Sequence, residues 1–239
     1  MKQLFLIALL ALSIIPTRAA EIDLSKPSSK LRCFLGDVIF VVEAGDRERH
    51  SKRLRPKIQA TYQSTPAEQK IVEAKLSDFN DLAGLEVTAA GKPEESAASV
   101  APVETSDENT AKITFYFGES AALADIAKNV SPQVSLDRGY SYWTWWDDKR
   151  IITRAVVYIC RDKVAGKVME ARLVELLLGV YGLPAKSGET DDSCLAEKTH
   201  EFTSLQPVDK AVLKFYYKSV PADTKPAELD KIFREQWGK

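Results

Sequence analysis

Lys167-Val-Met-Glu-Ala-Arg-Leu-Val-Glu-Leu-Leu-Leu-Gly-Val-Tyr181, followed by Gly182-Leu183, is the stretch on which the fold turns. Its centre, Val174 to Tyr181, is apolar all round except for Glu175. A helix of that kind has no face to give to water, so it belongs inside a core. Gly182 is a natural stop, because glycine readily enters the left-handed conformation that closes a helix. Glu175 stands out, since a carboxylate inside an apolar helix is costly unless it is paired. Arg154 and Arg172 are the expected partners. The sharper alternative is a carboxylate that lines a cleft and contacts a ligand.

Outward from this helix, strand and helix signals follow in turn. Tyr140–Trp146 and Ile151–Cys160 read as two strands of a hairpin about Asp147-Asp148-Lys149-Arg150. Lys112–Phe117 and Lys57–Tyr62 alternate apolar and polar residues, the period of a strand. Between them, Thr65-Pro66-Ala67-Glu68 opens a helix with a capping residue, a proline and a glutamate. Val72, Leu76, Phe79 and Ala83 continue it at helical spacing, and Gly84 ends it. Leu85, Val87 and Ala89 begin another strand. Ser120–Lys128 is a short helix. Phe34–Val42, apolar and β-branched, reads as a strand. Gln206–Lys218 and Pro226–Trp237 close the chain as two further helices. The order predicts an α/β (or α+β) domain with a mixed sheet and helices packed on it.

The 239 residues suit one such domain, and 45% of them are hydrophobic. Residues 1–19 read as a cleaved signal peptide: Lys2, an apolar run from Leu4 to Ile15, then Thr17-Arg18-Ala19 as the cleavage site. The run is too short to span a bilayer, and no later stretch approaches that length. The expected address is the periplasm or the exterior, with no stable membrane insertion. Residues 20–55 form an N-terminal strand and charged connector, and 56–239 the main domain. Within it, about 91–110 is a polar insertion expected to be mobile.

Losing Lys2 and Arg18 from 33 basic residues, against 34 acidic ones, leaves a net charge of about −3, which argues against nucleic acid as a partner. The charge run at 46–55 is either a solvated connector or a basic patch for anionic lipid or cell-wall polymer. In an oxidising compartment two of Cys33, Cys160 and Cys194 can pair, and the sequence does not choose among them.

The run Tyr140, Tyr142, Trp143, Trp145, Trp146 is dense in aromatics. Alternation puts Trp143 and Trp145 on one face and Tyr142 and Trp146 on the other. One face suits the core; the other suits a platform for peptide or glycan.

The buried helix resembles the active-site helix of the metzincin-like zincins, which ends the mixed-sheet half of that fold and carries HExxH before a glycine turn. Anchored on Gly182, Glu175 stands where the first histidine would, Leu176 where the general base would, and Gly179 where the second histidine would. The resemblance implies a metzincin-like mixed sheet with a degenerate active-site helix. Leucine cannot take a proton and glycine carries no ligand atom, so no zinc, no other cofactor and no HExxH catalysis are expected.

Glu175 to Leu183, Ser193, and Leu205 to Tyr217 with Asp209 are also similar to an exported bacterial family catalogued as domain of unknown function 2927. Residues 110–218 carry that resemblance, with departures at Leu176 and Gly179. A zinc site would have to gather Glu175, His200 and one more carboxylate such as Glu197 or Glu201. The favoured expectation is an exported, non-catalytic protein that acts by binding an envelope protein, peptide or glycan, with Glu175, Tyr142, Trp143, Trp145 and Trp146 as binding candidates. The alternatives are a hydrolase around Glu175 and a purely structural envelope protein.

Overall fold

The computed structural model describes residues 28–40, 49–88, 108–198 and 201–237. The signal peptide, His200 and most of the expected insertion lie outside them.

In chain order the elements are α1 (Ser29–Ile39), β1 (Arg53–Leu54), β2 (Lys57–Gln63), α2 (Pro66–Ala83), β3 (Glu86–Thr88), β4 (Thr110–Gly118), α3 (Ser120–Val130), β5 (Tyr140–Trp146), β6 (Ile151–Cys160), α4 (Gly166–Val180), α5 (Pro207–Ser219) and α6 (Pro226–Trp237). The six strands form one mostly parallel sheet with path β1-β6-β4-β2-β3, and β5 lies antiparallel against β6. The expected α/β architecture is therefore present.

Parallel strands are covered on both faces, which is why β6 reads as an apolar run from Ala155 to Cys160. Ala60, Ile113 and Ala155 sit in register across β2, β4 and β6, all fully buried beneath the principal helical layer. On the opposite face Tyr116 stacks on Tyr158, ring centroids 5.4 Å apart, over Leu123 and Ala127 of α3. α4 crosses the principal face, burying Leu173, Val174, Leu177, Leu178 and Val180. Each such side chain contributes about 1.5–3 kcal/mol on burial, so the apolar belt of α4 anchors the domain.

Within the expected strand 34–42, Phe34–Ile39 requires a correction, because it is the second half of a helix; residues 41 and 42 lie outside the described residues. α1 is a helix because its apolar residues recur as Leu31, Phe34, Leu35, Val38 and Ile39, all buried, at helical spacing. Ser28 caps it, its hydroxyl accepting from Leu31 N–H at 3.0 Å. The stripe begins three residues before the densest apolar stretch, so the β-branched end of the run dominates a local reading. Arg32 then ties α1 to α6 through both oxygens of Asp230, at 2.6 and 2.5 Å.

α2 starts and ends as its sequence requires. Thr65 and Glu68 exchange hydrogen bonds in a capping box, and Gly84 closes the helix at φ 67°. The β5–β6 hairpin is also as expected. Asp147 Oδ1 accepts from the N–H groups of Lys149 and Ile151, which folds the turn on itself. Among the described residues no helix is long and apolar enough to cross a membrane.

Candidate functional site

β5 is an edge strand: among the described residues it pairs with β6 alone. The Cys160 N–H donates to the Gly139 carbonyl, and that bond fixes the alternation of the ladder. Ser141, Trp143 and Trp145 turn their backbone groups to β6, while Tyr140, Tyr142 and Thr144 turn theirs to the outer edge. A trough runs along β5 and the C-terminal end of α4. It consists of a hollow of about 660 Å³ at the Trp146 end and one of about 360 Å³ at the Tyr140 end. Gln133, Tyr142, Gly179 and Pro184 line both, so the two adjoin.

Tyr142 forms the waist of this trough. Its ring fills the space over Gly179, where an added Cβ would collide with Tyr142 Cζ and Oη. The glycine of the degenerate motif is thus needed by the packing: any side chain at 179 would evict the tyrosine. Gly182, at φ 91°, permits an equally close approach, because a Cβ there would overlap the Lys52 carbonyl.

That carbonyl accepts from the Tyr216 hydroxyl. The neighbouring Tyr217 hydroxyl donates to Tyr181 O at 3.0 Å and accepts from Leu54 N–H at 3.3 Å. Burial pushes both tyrosines far above the usual phenol range, so they stay neutral donors. α5 in this way holds the backbone of residues 52–54 against the turn that ends α4. The Lys52 side chain lies over the Trp146 ring, Nζ 3.0 Å from its centroid, at the wall of the larger hollow.

Ser51, fully buried, fixes the same segment to the chain after α5. It accepts from Thr224 N–H at 3.0 Å and donates to Pro221 O at 2.8 Å. Its backbone N–H meets Thr224 O, and its carbonyl accepts from Asp223 N–H, both at 3.0 Å. His50, Lys52 and Arg150 converge here.

The expected binding candidates separate into two groups. Tyr142, Trp143 and Trp146 line the trough. Trp145 lines neither hollow: it packs on the second core cluster with Arg154 over its ring at 4.6 Å. The expected facing holds, with Tyr142 and Trp146 toward the main core and Trp143 and Trp145 toward the second.

Glu175 lines the smaller hollow and is paired on both oxygens. Arg172 Nη1 lies 2.5 Å from Oε2, and Lys186 Nζ 3.1 Å from Oε1. Of the two expected arginines, Arg172 is the partner and Arg154 is not. Lys186 comes from the loop after α4 and carries no periodic signal that would announce it.

Ser193 and Asp209 do meet, but in a buried knot. The Ser193 hydroxyl donates to Asp209 Oδ1, while Oδ2 accepts from Cys194 N–H at 3.0 Å and Gln206 N–H at 2.9 Å. This knot docks the loop after α4 onto the start of α5.

All three cysteines stand unpaired, so no disulfide joins Cys33, Cys160 or Cys194 in this structure. Cys33 is exposed on α1, and the other two are buried at separate places in the fold. Glu197 and Glu201 are exposed. Among the described residues no three His, Cys, Asp or Glu side chains are grouped so as to hold a metal ion.

No protein-family model matches the chain, and no curated protein matches it.

Proposed function

We propose that this is an exported, zincin-like protein of the cell envelope that acts by binding, without catalysis, and that its trough takes an extended peptide as an added strand on β5. The observation that carries the reading is the outer edge of β5, turned to a trough with aromatic walls. Backbone pairing along such an edge supplies affinity, and alternate side chains enter pockets that supply selectivity. β5 is seven residues long, about 23 Å, enough for several ligand residues. Tyr142, Trp143 and Trp146 offer large, rigid contact area at low entropic cost.

The zincin-like half of the reading rests on the mixed sheet leading into a buried helix with a glycine turn. The non-catalytic half rests on Leu176 and Gly179 at the motif positions, and on the engagement of Glu175 by two cations. A hydrolase centred on Glu175 would need that carboxylate released.

The test is Thr144→Pro. It removes one outward-facing N–H and leaves the ladder to β6 intact, the placement in which proline is tolerated on an edge. The readout is the set of β5 amide shifts in 1H–15N spectra on titration with acetylated, amidated valine–threonine hexapeptides. Shifts in the native protein, absent in a folded Thr144→Pro variant, support strand addition. Shifts that survive the proline, or that never occur, sink it.

A further inference from the structure

At the edge of the sheet opposite β5, a hollow of about 300 Å³ lies between α2, the end of β2 and β3. Its α2 wall follows from helical spacing. Glu73, Ser77 and Asp81 recur every four residues and stand in one line, with Leu76 and Asn80 in the line beside it. Tyr62, Leu85 and Val87 close the other sides. Val87 is a large apolar residue that β3 leaves exposed.

Asn80 is incompletely bonded. It is buried, only 3% exposed, and its Oδ1 accepts from the Tyr181 hydroxyl at 2.6 Å. That bond commits the oxygen to α4 and leaves Nδ2 on the side of the hollow, where it meets no acceptor among the described residues. A buried N–H without an acceptor is unfavourable, and such an exception in a folded protein calls for a role. Glu73 and Asp81 are exposed, so negative charge lies at the mouth and the amide at the floor. None of the described residues lining the hollow is basic. Gln69 meets Glu73 at 2.8 Å through a neutral amide, which leaves the charge in place. Burial, and after it the Glu73 charge, pushes the Tyr62 phenol up to about 12, so the wall there stays a neutral hydroxyl.

We infer that this hollow binds an α-amino amide with an aliphatic side chain, the grouping presented by the amino terminus of a peptide. The ammonium meets Glu73 and Asp81, the carbonyl oxygen accepts from Asn80 Nδ2, and the side chain lies on Leu76, Leu85 and Val87. Paired carboxylates favour a cation, and the charge-assisted bond is the stronger kind. A few polar groups set against an apolar wall fix the orientation of a small ligand. The carboxylate of a free amino acid would be repelled by the same two acids, so the amide is preferred. The hollow shares no lining residue with the trough, and the inference does not depend on strand addition.

The experiment titrates the full chain with leucinamide and follows 1H–15N spectra, in which the side-chain NH2 of Asn80 gives its own pair of peaks. Leucinamide is expected to move that pair and the backbone amides of Leu85 and Val87, with a Kd on the order of 1 mM. Isopentylamine, which lacks the carbonyl, should bind severalfold more weakly and leave the Asn80 pair in place. N-acetyl-leucinamide, which lacks the charge, should bind about tenfold more weakly or worse. Asp81→Asn, an exposed change on α2, should weaken leucinamide severalfold with the fold retained, and rising salt should act in the same direction.

Equal affinity for leucinamide and its N-acetyl form would overturn the ammonium contact and the ligand class with it. So would an Asn80 pair that stays still while the amides of Leu85 and Val87 saturate. No shift at tens of millimolar leucinamide would overturn the site itself. Tighter binding of glucosamine at the same resonances would overturn the peptide terminus as occupant.

Discussion

Gly179→Ala sets two effects of known sign against each other. In an exposed helix the exchange stabilises by about 1 kcal/mol through propensity alone. Here the new methyl meets the tip of the Tyr142 ring, and overpacking of that kind costs about 1–3 kcal/mol. The expected net change is a loss of about 0–2 kcal/mol. Tyr142→Ala alone removes a half-buried aromatic, about 1.5–2.5 kcal/mol if half the cost of a fully buried ring is lost. In the double variant the collision is gone and the helix gain returns. The pair should therefore be more stable than Tyr142→Ala by about 1 kcal/mol, a coupling of about 1–3 kcal/mol. Urea unfolding of the four proteins measures it, with the m-value as a check that the unfolded states match. Additivity within about 0.5 kcal/mol would refute the placement of Tyr142 over Gly179, and with it the waist of the trough.

Asp209→Ala should cost about 3–5 kcal/mol by urea unfolding, because it strands the Ser193 hydroxyl and two backbone donors around a site with no solvent exposure. Burial works to raise the Glu68 carboxyl, but Arg161 at 2.7 and 2.6 Å and the bonds from Thr65 outweigh it and hold the group below its ordinary range. Its folded value is thus depressed: the contribution is present above the unfolded carboxylate range and fades as pH falls through the folded one. Glu68→Gln should lose stability at neutral pH and converge on the native protein in acid, which unfolding curves at the two pH values will check. Burial pushes the thiols of Cys160 and Cys194 up, away from the reactive thiolate. Maleimide should therefore label Cys33 rapidly in the folded chain and reach the other two cysteines only on denaturation, as mass spectrometry would read it.

Much of the fold is legible in the chain because its signals are local. The Thr65–Glu68 box, the Gly84 and Gly182 stops and the Asp147–Arg150 turn each act within a few residues. α1 is misread because helix and strand templates overlap on a short apolar run. Only the buried Leu31, outside the run, reveals the helical period. The site is less legible, since its parts are brought together by packing. Tyr142, Trp143 and Trp146 are visible as an aromatic strand, and alternation sets Trp145 on the face opposite Tyr142 and Trp146, but nothing local separates Trp143, which reaches the hollow, from Trp145, which packs under Arg154. His50, Lys52 and Arg150 appear as ordinary charges in two separate polar stretches. Their meeting depends on the pairing of β1 with β6, where Arg53 N–H donates to Arg150 O, and on Ser51, whose partners lie after α5.

The hydrogen bond between Thr224 and Ser51 joins residues 173 positions apart. On a growing chain the Ser51 side waits unpartnered while the sheet, α4 and α5 are made. Contacts of such long range form late, because the loop they close must first be shortened by other structure. The hairpin that supplies β5, with Arg150 in its own turn, can form early, whereas the seating of Ser51 beside it has to wait for the segment before α6. A chain stopped after α5 would thus carry the edge strand and its aromatics before residues 50–51 are fastened beside them. Such an intermediate would be exposed to pairing with any neighbouring strand, and the last residues made would complete the wall beside that edge.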